Sequence, residues 1–241
     1  MIRHLPMFLS GLTAGRSLPS IAPQPFRDIL PTIKQDVPNP KGKIAIFTGC
    51  LLDFVYVDIA TDVVKALNMA GYIVEMPLGQ ACCGAPATYM GDVENAKKAA
   101  EMNLNAMEAE KYDYIVSACP TCTHALRDYV DFFKDNPEML KKAEELRSKT
   151  FDFCKLVSML GGLPDTGDGV PMKVTYHDSC HLNRYLGVTK EQRELLKATK
   201  GVELIEMHDC DKCCGFGGSY SVKFPEMSAP ILEEKINNIV A

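Results

Sequence analysis

From Lys43 onward, short uninterrupted apolar runs alternate with longer stretches of helical periodicity. Ile44-Ala45-Ile46-Phe47 has the length and composition of a buried strand. Val55, Ile59, Val63, Leu67 and Ala70 then fall on one helical face, and Gly71 supplies the C-terminal stop. Tyr72-Ile73-Val74 predicts a second strand, Asp92 is placed to cap a helix running to about Glu110, and Tyr114-Ile115-Val116 predicts a third strand. Strand–helix–strand–helix–strand at this spacing implies an α/β fold with parallel pairing through right-handed crossovers. A charged helical stretch, Pro137 to Arg147, and an apolar one, Phe151 to Leu160, follow. The Lys/Glu-rich residues 138–148 suit a solvated helix face with i,i+4 pairs.

The pattern divides the chain. Residues 1–42 carry seven prolines and little periodicity, and read as an arm or linker. Within them, Met1 to Leu9 faintly imitates an export signal, but Pro6 and Gly11 break the apolar stretch and no small-x-small cleavage site is clear. A first unit is expected over 43–160, a glycine-rich linker over 161–172 and a second unit over 173–241, where the pattern restarts at Lys173-Val174-Thr175-Tyr176.

The restart is an internal repeat. Thr48-Gly49-Cys50 follows a strand in the first unit, and Cys82-Cys83-Gly84 comes after 31 intervening residues. Asp178-Ser179-Cys180 follows a strand in the second, and Cys213-Cys214-Gly215 comes after 32. The first unit then spends 35 residues before Cys119-Pro120-Thr121-Cys122, whereas only 27 follow Cys214. Ile231, Ile236 and Val240 predict one face of a last helix, and the chain stops where the third strand of the repeat should begin. The fold class expected is therefore α/β, two pseudo-repeats with cysteines at the strand C-terminal edge. The second is truncated, and a longer parent would supply a strand and another Cys-x-x-Cys.

Charge and composition narrow the classes. A net charge of −5 argues against nucleic acid, because nothing basic is in excess to displace counterions from phosphates. No apolar run approaches the ~18 residues of a membrane span. Ten cysteines in a chain with a full-sized core and no clear export signal favour metal or redox chemistry in the cytoplasm over a disulfide framework.

The cysteine groups of the first unit each follow a predicted strand. In an open parallel sheet the carboxyl ends of the strands share one edge, so Cys50, Cys82, Cys83, Cys119 and Cys122 are expected to converge there. Thiolates are soft ligands suited to iron–sulfur clusters, zinc or Cu(I). Zinc saturates with four ligands and this motif offers five, which favours an iron–sulfur cluster. Gly84 and Gly215 let the backbone pass close to a bound species, with N–H groups available to its sulfurs.

The pattern Cys50-x31-Cys82-Cys83-Gly84-x34-Cys119-x2-Cys122 resembles the cysteine-rich CCG-domain family. That family includes the cysteine-rich component of heterodisulfide reductase and iron–sulfur subunits of glycolate, glycerol-3-phosphate and lactate oxidation systems. The resemblance covers roughly residues 43 to 241. Tyr176-His177-Asp178-Ser179-Cys180-His181-Leu182 and Cys213-Cys214-Gly215-Phe216-Gly217-Gly218 look most like the lactate-utilisation branch. It implies a [4Fe–4S] cluster, non-cubane when all five cysteines ligate, an ordinary cubane in other members, and zinc as an alternative at the second site. It also implies an electron-transfer subunit of an oxidoreductase acting on L-lactate or a related 2-hydroxy acid, beside ferredoxin-like and flavin or LUD-type partners. Any membrane association would come through those partners. No nucleotide fingerprint is present, which puts flavin or nicotinamide on a partner. Two other readings stand beside it: direct reduction of a disulfide or quinone at the cluster, and a zinc-stabilised interaction module without redox activity.

Cys180, Cys213 and Cys214 supply only three thiolates to the second site, so Cys210, His177 or His181 are candidates to complete it. His124 follows Cys122 closely and could orient the first site. Cys154 lies in an apolar stretch beside Val157 and reads as a buried, inert thiol.

Overall fold

The structure, a computed structural model, describes residues 19–165 and 169–240. The faint export-like stretch and part of the expected glycine-rich linker lie outside these residues. Strands β1 (Gly42–Ile46), β2 (Tyr72–Glu75), β3 (Tyr114–Ser117) and β4 (Thr150–Asp152) form one sheet of order β2-β1-β3-β4, and every pairing is parallel. A second sheet pairs β5 (Met172–Val174) with β6 (Val202–Leu204), again in parallel. The mixed α/β architecture expected from the alternating pattern is what forms.

Side chains alternate across a strand, so β1 buries both faces. Ala45 and Phe47 join one core with α5 (Val93–Met107) and α7 (Pro137–Lys149), through Ala100, Leu104, Ala143 and Leu146. Ile44 and Ile46 join the other with α3 (Val57–Met69) and α8 (Phe153–Met159), through Val63, Val64, Leu67, Leu156 and Val157. Asp92 caps α5 by accepting the Asn95 N–H at 3.2 Å.

Three elements differ from the sequence expectation. Phe151 and Asp152, expected at the start of the apolar helix, instead join Thr150 in β4, with Ile115 opposite Thr150 and Ser117 opposite Asp152. Asp152 leaves the strand in an extended conformation and caps α8 by accepting the Cys154 N–H at 2.9 Å, so the helix cannot start earlier. The described part of the proline-rich segment packs onto the first unit: Phe26 is fully buried, and the Arg27 guanidinium donates twice to one oxygen of the buried Asp53, whose other oxygen accepts the Arg27 backbone N–H at 3.0 Å. In the last helix, α11 (Pro225–Val240), Ile236 and Val240 stay exposed while Lys235 is buried. Its ammonium donates to the carbonyls of Asp209 and Cys210, both at 2.8 Å.

The units meet where α8 lies beside α9 (Glu191–Ala198), tied by Lys155 to Glu191 at 2.7 Å. They meet again where α6 (Pro120–Asp128) lies beside a single π-helical turn, His181–Tyr185.

Candidate metal centre at the carboxyl edge of the sheet

Each cysteine group of the first unit sits just past the carboxyl end of a strand. Cys50 opens α2 (Gly49–Phe54) after β1; Cys82 and Cys83 lie between β2 and α4 (Ala85–Tyr89); Cys119 caps α6 after β3, and Cys122 is in its first turn. The five thiols lie near enough to shift one another's protonation along one run, Cys50–Cys82–Cys83–Cys122–Cys119. Cys83 and Cys122 are buried, while Cys50 and Cys82 are exposed, so the run leads from the core to the surface.

Two glycines make this packing possible. Gly49 has φ +56°, and a Cβ there would stand 2.9 Å from the Cys122 sulfur. Gly84 has φ +82° and presses against α5, where a Cβ would meet the Ala96 carbonyl at 3.2 Å. Buried polar groups hold the loop between β2 and α4. Gln80 accepts the Thr48 N–H and donates to the Ile46 carbonyl, and Asn103 accepts the Ala81 N–H at 2.8 Å. Asn103 also donates to the Cys82 carbonyl at 3.0 Å, and the Tyr129 hydroxyl donates to the Cys83 carbonyl at 2.9 Å.

The run divides into acceptors and donors. Hydrogen bonds from the Cys50 and Cys83 thiols, then from the Gly84 and Cys83 N–H groups, hold Cys82 down at about 2. The Cys122 thiol, followed by the N–H groups of Cys122 and Thr121, brings Cys119 down to about 6. Cys50 is pushed up first by its bond to Cys82 and then by burial. Cys122 is pushed up by its bonds to Cys119 and Cys83 and by burial. The bond Cys83 receives from Cys122 lowers it, but its own bond to Cys82 and its burial outweigh this and lift it to about 12. Two sulfurs are thus ready thiolates, and three more would shed protons to a metal that attracts them.

This donor set is soft, and suits a metal ion or a metal–sulfur cluster. Among the described residues, no three His, Cys, Asp or Glu side chains form a single-ion site. Soft sulfurs gathered at one edge of the sheet are the donor type that zinc and iron–sulfur sites share.

The second unit repeats part of the device. Gly215, at φ +74°, presses against α11 as Gly84 presses against α5, and Ser228 donates to its carbonyl at 2.7 Å. The Gly215 N–H reaches the Cys213 sulfur at 3.3 Å. Cys180 leads into the π-helical turn, Cys213 is exposed and Cys214 half-buried. Cys210 lies in a different network: its thiol donates to Asp178 at 3.3 Å, Asp178 is clamped by Arg193 at 2.9 and 3.0 Å, and Arg193 also holds Glu206. Burial, then the bond to Asp178, pushes the Cys210 thiol up. His177 faces the Cys210 carbonyl at 3.1 Å.

His181 and His124 meet at the seam between the units. Their ring centroids are 5.5 Å apart, Tyr185 lies 4.4 Å from His124, and Tyr89 lies 6.0 Å from His181. Burial first, and then the charge of Cys83, lifts the Tyr89 phenol to about 12, which places this ring quartet beside the thiol run. Cys154 is half-buried in α8, apart from that run, and burial lifts its thiol to about 12.

Asn103, Tyr129, Gln80 and Arg193 carry no motif in sequence. Asn103 alone leaves a trace, as a polar residue on the buried face of α5.

Comparison with known proteins agrees with this geometry. The family model for the CCG cysteine-rich domain matches residues 44–127 and again 174–241, one match per unit. Lactate utilization protein A from Bacillus velezensis is 37% identical over 194 residues, covering 80% of this chain and 81% of that protein. The protein of that name from Shouchella clausii is 38% identical over 198 residues, covering 82% of each, and the one from Bacillus subtilis is 36% identical over 194. No helix among the described residues is long and apolar enough to cross a membrane. With both matches falling on the units that carry the cysteine pairs and their glycines, the chain belongs to the CCG cysteine-rich domain family.

Proposed function

We propose that this chain is an iron–sulfur electron-transfer subunit of a cytoplasmic oxidoreductase complex that oxidises L-lactate or a related 2-hydroxy acid. The observation that carries the reading is the placement of five cysteines at the carboxyl edge of the four-stranded sheet. Cys50, Cys82, Cys83, Cys119 and Cys122 would hold a [4Fe–4S]-type cluster, which supplies one-electron chemistry when bound. The exposed Cys50 and Cys82 put one flank of that group at the surface, where a partner can exchange electrons with it. Cys180, Cys213 and Cys214 form the start of a second site. The relatives named for lactate utilization support the substrate class, and the flavin or substrate site belongs on another subunit.

Anaerobic reconstitution with iron and sulfide tests this. About four irons with matching acid-labile sulfide are expected at the first motif. Cys50→Ser, Cys83→Ser and Cys122→Ser should each abolish or alter the visible spectrum, because a hard oxygen ligand poorly replaces a thiolate. Cys154→Ser should keep the spectrum and cost only about 1 kcal/mol of packing. Stoichiometric zinc without sulfide, or bleaching by Cys154→Ser in place of Cys50→Ser, would overturn the reading.

A further inference from the structure

We propose that the second unit is a docking site for an extended segment of another polypeptide, which adds as a parallel strand to the free edge of β5 beside α11. No thiol takes part.

A strand in a parallel pair turns the backbone groups of alternate residues toward its neighbour. Met172 donates to the Gly201 carbonyl at 2.9 Å, and Val174 accepts the Ile205 N–H at 2.8 Å. The N–H and C=O groups of Lys173 and Thr175 therefore point away from β6, and among the described residues no strand pairs with that edge. The first unit shows what such an edge receives. Strand register and cysteine spacing place Lys173 where Lys43 stands and Thr175 where Ala45 stands. There the edge is filled by β3 running parallel, with Ile115 opposite Ala45. Just before β3, Asp113 accepts the Lys43 N–H at 2.8 Å and donates its own N–H to the Lys43 carbonyl at 2.9 Å.

The adjoining helix is uncovered in the same way. Gly84 presses on Ala96 of α5 and Gly215 on Ser228 of α11, which matches Leu104 and Met107 to Ile236 and Ile239. Leu104 and Met107, packed with Ile115 and Leu146, are 4% and 0% exposed, whereas Ile236 and Ile239 are 46% and 47% exposed. Between β5, the segment after β6 and the end of α11 lies an open cavity of about 590 Å³, with Thr175, Met207, His208, Asn238 and Ile239 in its wall. Thr175 Oγ1 and Asn238 Nδ2 are buried there without a hydrogen-bond partner. Such atoms cost stability until something bonds them. The matching residues of the first unit, Ala45 and Ala106, are apolar. The occupant therefore differs from β3 in one respect: it carries a hydrogen-bonding side chain, Asn or Gln, opposite Thr175. A second copy of this chain fits worse. Two-fold pairing would run the two β5 strands antiparallel and set their central residues, Lys173, against each other as like charges.

The probes are two fluorescent peptides: residues 112–118 of this chain, which span β3, and the same peptide carrying Ile115→Asn. Anisotropy titrations with the full chain should show saturable binding of both. The Ile115→Asn peptide should bind tighter by about tenfold, the worth of one or two hydrogen bonds. Bound peptide should slow hydrogen exchange at the Lys173 and Thr175 amides. Lys173→Pro removes the free-edge N–H and keeps the bonds to β6, so it should weaken both peptides by about tenfold. Asn238→Leu should erase the preference for the Ile115→Asn peptide and still bind the parent one. Circular dichroism identifies variants that fold, and should Lys173→Pro fail, Asn238→Leu and the exchange pattern decide. No binding of either peptide, unweakened binding to folded Lys173→Pro, or a preference that survives Asn238→Leu would overturn the proposal. So would sedimentation showing the unaltered protein as a dimer that Lys173→Pro returns to monomer, because a second copy would then hold the edge.

Discussion

Replacing Gly49 by alanine strains the thiol run in a way that can be separated from ordinary backbone strain. Gly49 sits at φ +56°, where an L residue costs about 1 kcal/mol. The added Cβ would also stand 2.9 Å from the Cys122 sulfur, roughly half an ångström inside ordinary contact. Cys122 is buried and bonded to both Cys83 and Cys119, so it cannot swing aside without breaking the run. Forcing a methyl group into such a site costs a further ~2 kcal/mol. Gly91 supplies the reference: it has φ +83°, and a Cβ there would meet nothing within 4 Å. Both substitutions reduce the freedom of the unfolded chain equally, so that term cancels in the comparison. Urea denaturation of metal-free protein should therefore show Gly49→Ala less stable than Gly91→Ala by about 2 kcal/mol. Reconstitution should give little iron for Gly49→Ala and a full complement for Gly91→Ala. Equal stabilities and equal iron would mean that Cys122 is not held against Gly49, and the convergence of the five thiols would fall with it.

Other perturbations probe the supports of the site. Burial outweighs the N–H groups of Cys154, Lys155 and Phe153 and lifts Asp152 to about 6 from 3.8. A carboxyl whose pKa is raised by folding contributes stability below its unfolded pKa and loses it as pH rises through its folded one. Asp152→Asn, which keeps an oxygen to cap α8, should therefore match the unaltered protein near pH 4 and exceed it by up to about 3 kcal/mol at pH 7, read by urea denaturation; a difference independent of pH would refute the assignment. Arg193→Met should destabilise the second unit by about 3 kcal/mol, because it leaves the buried Asp178 unpaired. Hydrogen exchange should show faster opening confined to residues around Asp178 and Cys210, and uniform acceleration across both units would contradict the network.

The sheet was legible because its strands are buried on both faces. Ile44 to Phe47 reads as a continuous apolar run for that reason, with Ile44 and Ile46 serving one core and Ala45 and Phe47 the other. β4 was not legible: three residues are too few to show a period, and the apolar pattern of α8 runs straight into them. What separates strand from helix there is one side-chain bond from Asp152, which has no periodic signature. The last helix misled for a related reason. The spacing of Ile231, Ile236 and Val240 marks an apolar face, but which face is covered depends on what lies beside it. Lys235 found two carbonyls in the loop before the cysteine pair, and that tertiary satisfaction outranks hydropathy.

The candidate site divides along the same line. Its thiols were legible because each cysteine group follows a strand, and parallel topology alone brings strand ends to one edge. Its supports were not, because they come from unrelated stretches: Asn103 from the buried face of α5, Tyr129 from the turn after α6, Gln80 from the loop itself. Nothing local distinguishes Asn103 from its exposed neighbours except its position on the buried stripe, where a polar residue must have a partner. A fully buried amide or phenol in an α/β core is therefore informative about the site even when it touches no ligand. It has to bond something, and in the first unit Asn103 and Tyr129 donate to the carbonyls of the cysteine pair. The second unit has the same glycine and the same helix pressed behind it. It holds its loop by a different route, through Ser228 and Lys235 on α11. The repeat thus preserves the geometry beside the cysteine pair while changing the groups that enforce it, which is why cysteine spacing revealed the repeat and side-chain identity did not.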